Sequence, residues 1–235
     1  MQNVQPLDRE RAYRGIAGLI AESKLDPGDP VTERGLSEQL GIGRTPVREA
    51  IRELVRDGVL EVHPARGTCV RSISLQDLGE LFEMRHLLEG LAVYRAAELG
   101  PTEKLAAYGH KLRSVGLRSV GRRFNHVKAY DLGVDFHVEI FRAARNRLLL
   151  DTYMPIKLRY RLASAIAQTH DREWIRRSIG EHLAILEAIE ERDPAAAQRR
   201  MQEHLTHSFQ CRLQIFTRLC QASPVAIAPR VSSEP

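Results

Sequence analysis

Three histidines and a run of arginines are the residues of this chain best suited to chemistry. His137 shares a helical face with Val134, Ile140, Phe141 and Ala144, His182 with Ile185, Leu186 and Ile189, and His204 with Met201, Leu205 and Ser208. At 3.6 residues per turn, each imidazole looks inward from an amphipathic helix. One such histidine is ordinarily a hydrogen-bonded core residue. Three on three helices raise a divalent-metal site, since neutral imidazole suits zinc, nickel and related ions. Spacing alone does not make them converge.

The arginines are Arg44, Arg48, Arg52 and Arg56, four apart in GIGRTPVREAIRELVRDGVL (41–60). Positions four apart share a helix face, and Val47, Ile51, Leu54 and Val55 supply a dry one. Arg44 and Arg48 stand at the helix start, where free backbone N–H groups and a partial positive charge suit phosphate. Arg52 and Arg56 lie among Glu49, Glu53 and Asp57 and are expected to form surface ion pairs. Arg44-Thr45 has no acidic neighbour in sequence and reads as uncompensated.

Elements that position these groups follow from the punctuation. Residues 9–24 have a helical apolar period, which LDPGDP stops, because Pro27 and Pro30 cannot continue it. Thr32 is a natural N-cap for a short second helix ended by Gly41. Thr45 is expected to cap the third helix with Pro46 at its first position, and Gly58 to end it. VLEVHPARGTCVRSI then gives two β-rich runs around the 63–67 turn, a small hairpin. Helix, helix, tight turn, helix, hairpin is a winged helix-turn-helix. In that plan the start of the recognition helix reaches base edges in the major groove.

From Ser74 onward the chain reads as helical, at about 75–99, 102–119, 124–144, 147–169, 172–191 and 194–219. Gly100-Pro101 and Asp193-Pro194 are clean breaks. The tail 221–235 is unperiodic and expected to be disordered. The fold class is therefore mainly α, with domains expected at 1–73 and 74–220.

Composition decides less. The chain has 235 residues and a net charge of +5, but residues 1–74 hold 11 basic and 11 acidic side chains. The excess lies elsewhere, partly in KLRSVGLRSVGRR (111–123), so bulk charge is poor support for nucleic-acid binding. Three cysteines without CxxC spacing suggest neither a disulfide framework nor a thiolate zinc site. With no apolar run of roughly 18 residues and no signal-like N-terminus, a cytoplasmic protein is expected.

PGDPVTERGLSEQLGIGRTPVREAIRELVRDGVLEVHPARGTCV resembles the DNA-binding domain of the GntR family of bacterial transcription regulators. The resemblance implies DNA contacts at Arg34, Arg44, Thr45 and Arg48, with Arg66 and Gly67 at the wing. Gly43 stands where the family usually has Ser, so a contact from that hydroxyl would pass to backbone N–H. Segments 74–100, 135–149 and 181–205 resemble the FCD effector-binding domain of the FadR branch, an antiparallel bundle of about six helices. That likeness implies a homodimer on a palindromic operator in double-stranded DNA, a small carboxylate or sugar-acid effector, and a divalent metal such as zinc or nickel.

The three FCD histidines fall on His137, His182 and His204. The fourth family ligand, Asp or Asn, falls on Gly133. Asp135 lies about 200° around a helix from His137, and Asp131 also faces elsewhere. Three arrangements stay open: three His completed by water and effector, a helix distortion bringing Asp131 or Asp135 inward, or loss of tight metal binding. Arg85 matches an arginine near the family's effector cavity and could fork onto a carboxylate, though a surface pair with Glu89 is the plainer reading. Asn146 is assigned to a helix boundary. A His-metal hydrolase is the competing class, weakened because no carboxylate base is identifiable beside the histidines. A metal-free or metal-sensing regulator is another.

Overall fold

The computed structural model describes residues 6–118, 126–165 and 172–222. Among these are nine helices and one hairpin: α1 (Pro6–Ala21), α2 (Glu33–Leu40), α3 (Arg44–Arg56), β1 (Leu60–His63), β2 (Gly67–Val70), α4 (Leu75–Leu99), α5 (Glu103–Arg118), α6 (His126–Ala143), α7 (Arg147–Ala165), α8 (Arg172–Glu190) and α9 (Pro194–Ala222). The expected helical residues 119, 124–125 and 166–169 and the tail from 223 lie outside the described residues; Gln221 and Ala222, expected in the tail, complete α9. No described helix is long and apolar enough to cross a membrane.

The described residues form two compact units. One takes 6–78 together with 154–165, the second half of α7. Its core joins Ala12, Ile16 and Ile20 of α1 to Leu36, Val47, Ile51 and Leu54, all buried. Thr32 caps α2 by accepting the Gly35 N–H at 3.1 Å, and Gly41 closes it in the left-handed conformation at φ 63°. The expected cap of α3 is wrong by two residues. Gly43 is the N-cap, without a side-chain bond, so Thr45 and Pro46 are already the second and third helical residues. Proline is tolerated there because first-turn N–H groups have no helical acceptor.

The antiparallel hairpin pairs Leu60 with Val70, Glu61 with Cys69, Val62 with Thr68 and His63 with Gly67. Sequence patterning missed a third edge. The LDPGDP turn runs beside β2, with Val31 N–H on Thr68 O and Gly28 N–H on Val70 O, both at 2.8 Å. Ser74 and Asp77 form a reciprocal cap on α4, at 3.0 Å from Asp77 N–H to Ser74 Oγ and 2.9 Å from Ser74 N–H to Asp77 Oδ2. Arg71 also donates to Asp77, at 2.7 Å.

The second unit takes 79–153 and 172–222 of the described chain. Here α8 packs on α9, α5 and α6, and α5 on α6. Of the successive helices, α5 packs on α6, and the short 191–193 break sets α8 against α9. Thr102, Asn146 and Asp193 each cap the following helix, accepting from Leu105, Leu149 and Ala196. Phe136, Ile140, Phe141, Ile185, Leu186, Met201 and Leu205 fill the core. Leu54→Ala, at a fully buried position that holds α3 on α1 and α2, should cost about 2–5 kcal/mol by leaving a cavity. Chemical denaturation of the full chain measures that loss.

Candidate metal centre and DNA-reading surface

The core positions of α6, α8 and α9 bring the three histidines together. His137, His182 and His204 are each 4% exposed. The Nε2 atoms of His137 and His182 are 3.0 Å apart, and those of His182 and His204 are 3.2 Å apart. Ligands on a tetrahedral zinc at ~2.05 Å would be spaced ~3.3 Å. The donor set and its spacing therefore fit a divalent ion.

Carboxylates hold two of the rings from behind. Glu89 on α4 meets His137 Nδ1 and accepts Arg85 Nε–H at 2.5 Å. Glu181 on α8 meets His204 Nδ1 and His207 Nδ1, each at 2.8 Å. Such contacts put the Nδ1 proton on the carboxylate side and turn the Nε2 lone pair inward. Arg85 and Glu89 are buried, which replaces the surface pair as the plainer reading. Glu89 and Glu181 also correct the expectation of no carboxylate beside the histidines. They face Nδ1, behind the rings, and so orient imidazoles rather than activate a water at the Nε2 side.

Burial governs the charges. Desolvation pushes His182 well below its ordinary value, helped by His204 and His137. Burial likewise brings His204 down to about 4, against the opposing pull of Glu181. Desolvation would raise Glu89, but the Arg85 guanidinium and His137 outweigh it and hold the carboxyl at about 2. Glu181 also stays below its usual range: its burial is outweighed by hydrogen bonds from His204, His207 and Arg177.

Gly133 faces this cluster directly. A Cβ built there would lie 2.8 Å from His182 Cε1, so the imidazole fills the space a side chain would need. Helix α6 continues unbroken past it, Asp135 is exposed, and neither Asp131 nor Asp135 joins the metal-competent group. Beside His204 a cavity of about 370 Å³ opens between α8 and α9, lined by Trp174, Arg177, Glu181, His207 and Ser208 among others.

In the other unit, Arg44, Thr45 and Arg48 are exposed on the first two turns of α3. They are not uncompensated. Arg48 forks onto Glu33 of α2 at 2.8 and 2.9 Å, and Arg44 Nη2 lies 3.8 Å from the same carboxylate. Arg34 pairs with Glu38 at 2.9 Å. Of the acids expected to meet Arg52 and Arg56, Glu53 lies 3.7 Å from Arg9 and Asp57 accepts the Tyr13 hydroxyl at 2.6 Å. Arg48, Arg52 and Arg56 line a cleft of about 810 Å³ with Val62 and Thr68 of the hairpin. Arg66 is exposed at the hairpin turn, and Gly67 takes φ 73° there.

Comparison with known proteins is decisive for the family. The profile of bacterial regulatory proteins of the gntR family matches residues 8–70, and that of the FCD domain matches 80–207. The chain belongs to the GntR family. A relative from Paenarthrobacter nicotinovorans, named a probable D-xylose utilization operon transcriptional repressor, is 31% identical over 79% of this chain and 80% of its own. The transcriptional repressor RspR of Escherichia coli K12 is 26% identical over 86% of each chain. The solved E. coli McbR/YncC has the same fold, with a TM-score of 0.78 at 21% identity, covering 89% of this chain and 98% of that one. This GntR protein is accordingly a DNA-binding transcription regulator with an effector-binding FCD domain, not an enzyme.

The depressed imidazoles give a pH signature. Between about 4 and the ordinary 6.5, the unfolded chain binds protons that folded His182 and His204 refuse. Stability must rise with pH across that window. With chelator present, the melting temperature should be higher at about pH 7 than at about pH 5, and the difference should shrink in a His182→Gln, His204→Gln variant. Calorimetry at matched ionic strength checks this; an equal transition at both pH values counts against neutral buried rings.

Proposed function

We propose that this regulator binds a short palindromic operator as a homodimer, acting in the cytoplasm, with residues 1–73 as the DNA-binding domain and 74–220 as the effector and dimerisation domain. A divalent ion, zinc or nickel, is held by His137, His182 and His204 and receives a small carboxylate or sugar acid. The observation that carries the metal reading is the convergence of three buried Nε2 atoms with carboxylates behind two of the rings. A sugar-derived effector is in keeping with the D-xylose operon in the name of one relative, and its acid group is argued from the metal and Arg85 alone. An effector carboxylate reaching buried Arg85 competes with Glu89 for its guanidinium.

The DNA contacts in this reading are Arg34, Arg44, Thr45 and Arg48, with Arg66 and Gly67 at the wing. Arg44 and Arg48 exchange the partly exposed Glu33 carboxylate for phosphate or guanine. Exposed pairs of this kind contribute little, so the exchange costs little. The homodimer is favoured by α4, where Met84, Leu87, Leu91 and Tyr94 are exposed at helical spacing, Leu87 by 69%. An apolar stripe of that length asks for a partner, and a second copy provides one with two-fold symmetry.

Two measurements test the two halves separately. Arg44→Ala and Arg48→Ala should each weaken binding to a selected operator by about tenfold or more, with helicity by circular dichroism unchanged. Fluorescence anisotropy reads this, and parental affinity and selectivity in both variants would defeat the DNA assignment. Untagged protein should carry about one divalent ion per chain at the triad, lost in His137→Ala. Metal-free protein that still melts higher with a carboxylate ligand would transfer the effector role to a metal-free site.

A further inference from the structure

The hairpin itself carries a second donor set, outside the bundle and outside the DNA-facing side. We propose that Glu61, His63 and Cys69 form a zinc(II) site on the back of the wing, which fastens β1 to β2 beneath the Arg66-Gly67 turn. This inference is independent of the histidine centre and of any effector.

Strand geometry brings the three groups together. Glu61 and His63 are two apart on β1, so both project from one face, and Cys69 is the direct cross-strand partner of Glu61. Glu61 Oε1 lies 3.1 Å from His63 Nε2 and 3.9 Å from Cys69 Sγ. All three ligand atoms fall within 4.8 Å of one another. Thiolate, imidazole and carboxylate on tetrahedral zinc would be spaced ~3.3–3.6 Å. Side-chain adjustments of about 1 Å or less therefore assemble three ligands and leave a fourth position for water.

The surroundings favour a cation. Cys69 is 5% exposed and its backbone is held on both sides, by Glu61 and by the bridge to Pro30. Bound zinc would hold Cys69 as the thiolate, its proton released to solvent, and would offset the negative charge gathered on Glu61 and the thiolate. Glu61 and His63 are partly exposed, which gives an ion its route in. Val62 and Thr68, on the opposite face, line the cleft with Arg48 and Arg52. A metal on the back thus stiffens the wing and leaves its DNA-facing side open. The ion's effect should be on the order of the wing that presents Arg66.

Cobalt(II) separates this centre from the histidine triad, because only a thiolate ligand gives a sulfur-to-cobalt charge-transfer band in the near ultraviolet. Reduced, metal-stripped full-length protein is titrated with cobalt(II), then zinc(II). The expected result is a thiolate band saturating at about one ion per chain, displaced by zinc, and retained in His137→Ala and Cys211→Ser. The band should vanish in Cys69→Ser. In His63→Ala and Glu61→Gln, cobalt affinity should fall by roughly tenfold or more, since losing even an outer partner of a ligand costs that much. These two substitutions sit at partly exposed positions and keep the test usable if Cys69→Ser does not fold. Absence of the band in the parent, its survival in Cys69→Ser, or parental affinity in both β1 variants overturns the site. Loss of triad metal in His137→Ala with the thiolate band intact would leave the two centres separately established.

Discussion

Three imidazole nitrogens about 3 Å apart in a dry core cannot all point lone pairs at one another. That constraint organises the bundle. Glu89 and Glu181 take the Nδ1 protons of His137 and His204, so the Nε2 atoms of both rings are acceptors aimed at His182. A single proton on His182 Nε2 can serve both neighbours in a bifurcated hydrogen bond. A divalent cation serves all three. Proton and cation thus compete for one place; burial keeps His182 and His204 uncharged, and a cation there requires the His182 proton to sit on Nδ1. The cost of the arrangement falls on the carboxylates, buried beside it, and Arg85 and His137 keep Glu89 charged there.

In the DNA-reading unit the constraint is weaker and the design correspondingly looser. Glu33 anchors Arg48 and sits near Arg44, but all three side chains are substantially exposed. Water and salt screen such pairs, so the arginines are held in order without being committed. The unit is neutral over residues 1–74, which leaves recognition to where its charges stand. Helix α3 starts at Arg44 over a glycine cap with no side-chain bond, and its first-turn N–H groups remain directed at whatever anion approaches.

Much of this was legible in the sequence because it is local. The winged plan, the six later helices and the caps at Thr32 and Asn146 follow from periodicity and punctuation within a few residues. The inward faces of the histidines were legible for the same reason. What stayed hidden is non-local. Glu89 looked like the i+4 partner of Arg85, and nothing within one turn announces His137, 48 positions away. Glu33 and Arg48 are 15 apart and meet only once α2 and α3 have packed. The cap of α3 was misplaced because Thr45-Pro46 is a strong start signal, and a glycine cap carries none. Nothing local marks Cys69, since only the hairpin register sets it opposite Glu61.

Gly133 is where sequence and structure bear on the same chemical question. The FCD resemblance implies a carboxylate or amide ligand there, and the structure gives the space to His182, whose ring carbon lies 2.8 Å from where a Cβ would stand. A fourth, anionic ligand would lower the charge of a bound divalent ion and occupy one coordination position. Three neutral imidazoles do neither. An ion held that way keeps its charge and more than one open position, and both features favour an anionic, chelating effector over water. The second carboxylate oxygen or adjacent hydroxyl of a sugar acid would suit such a site better than a monodentate acid would. On the proposed metal reading, loss of that ligand would exchange metal affinity for a stronger hold on an effector that completes the coordination shell.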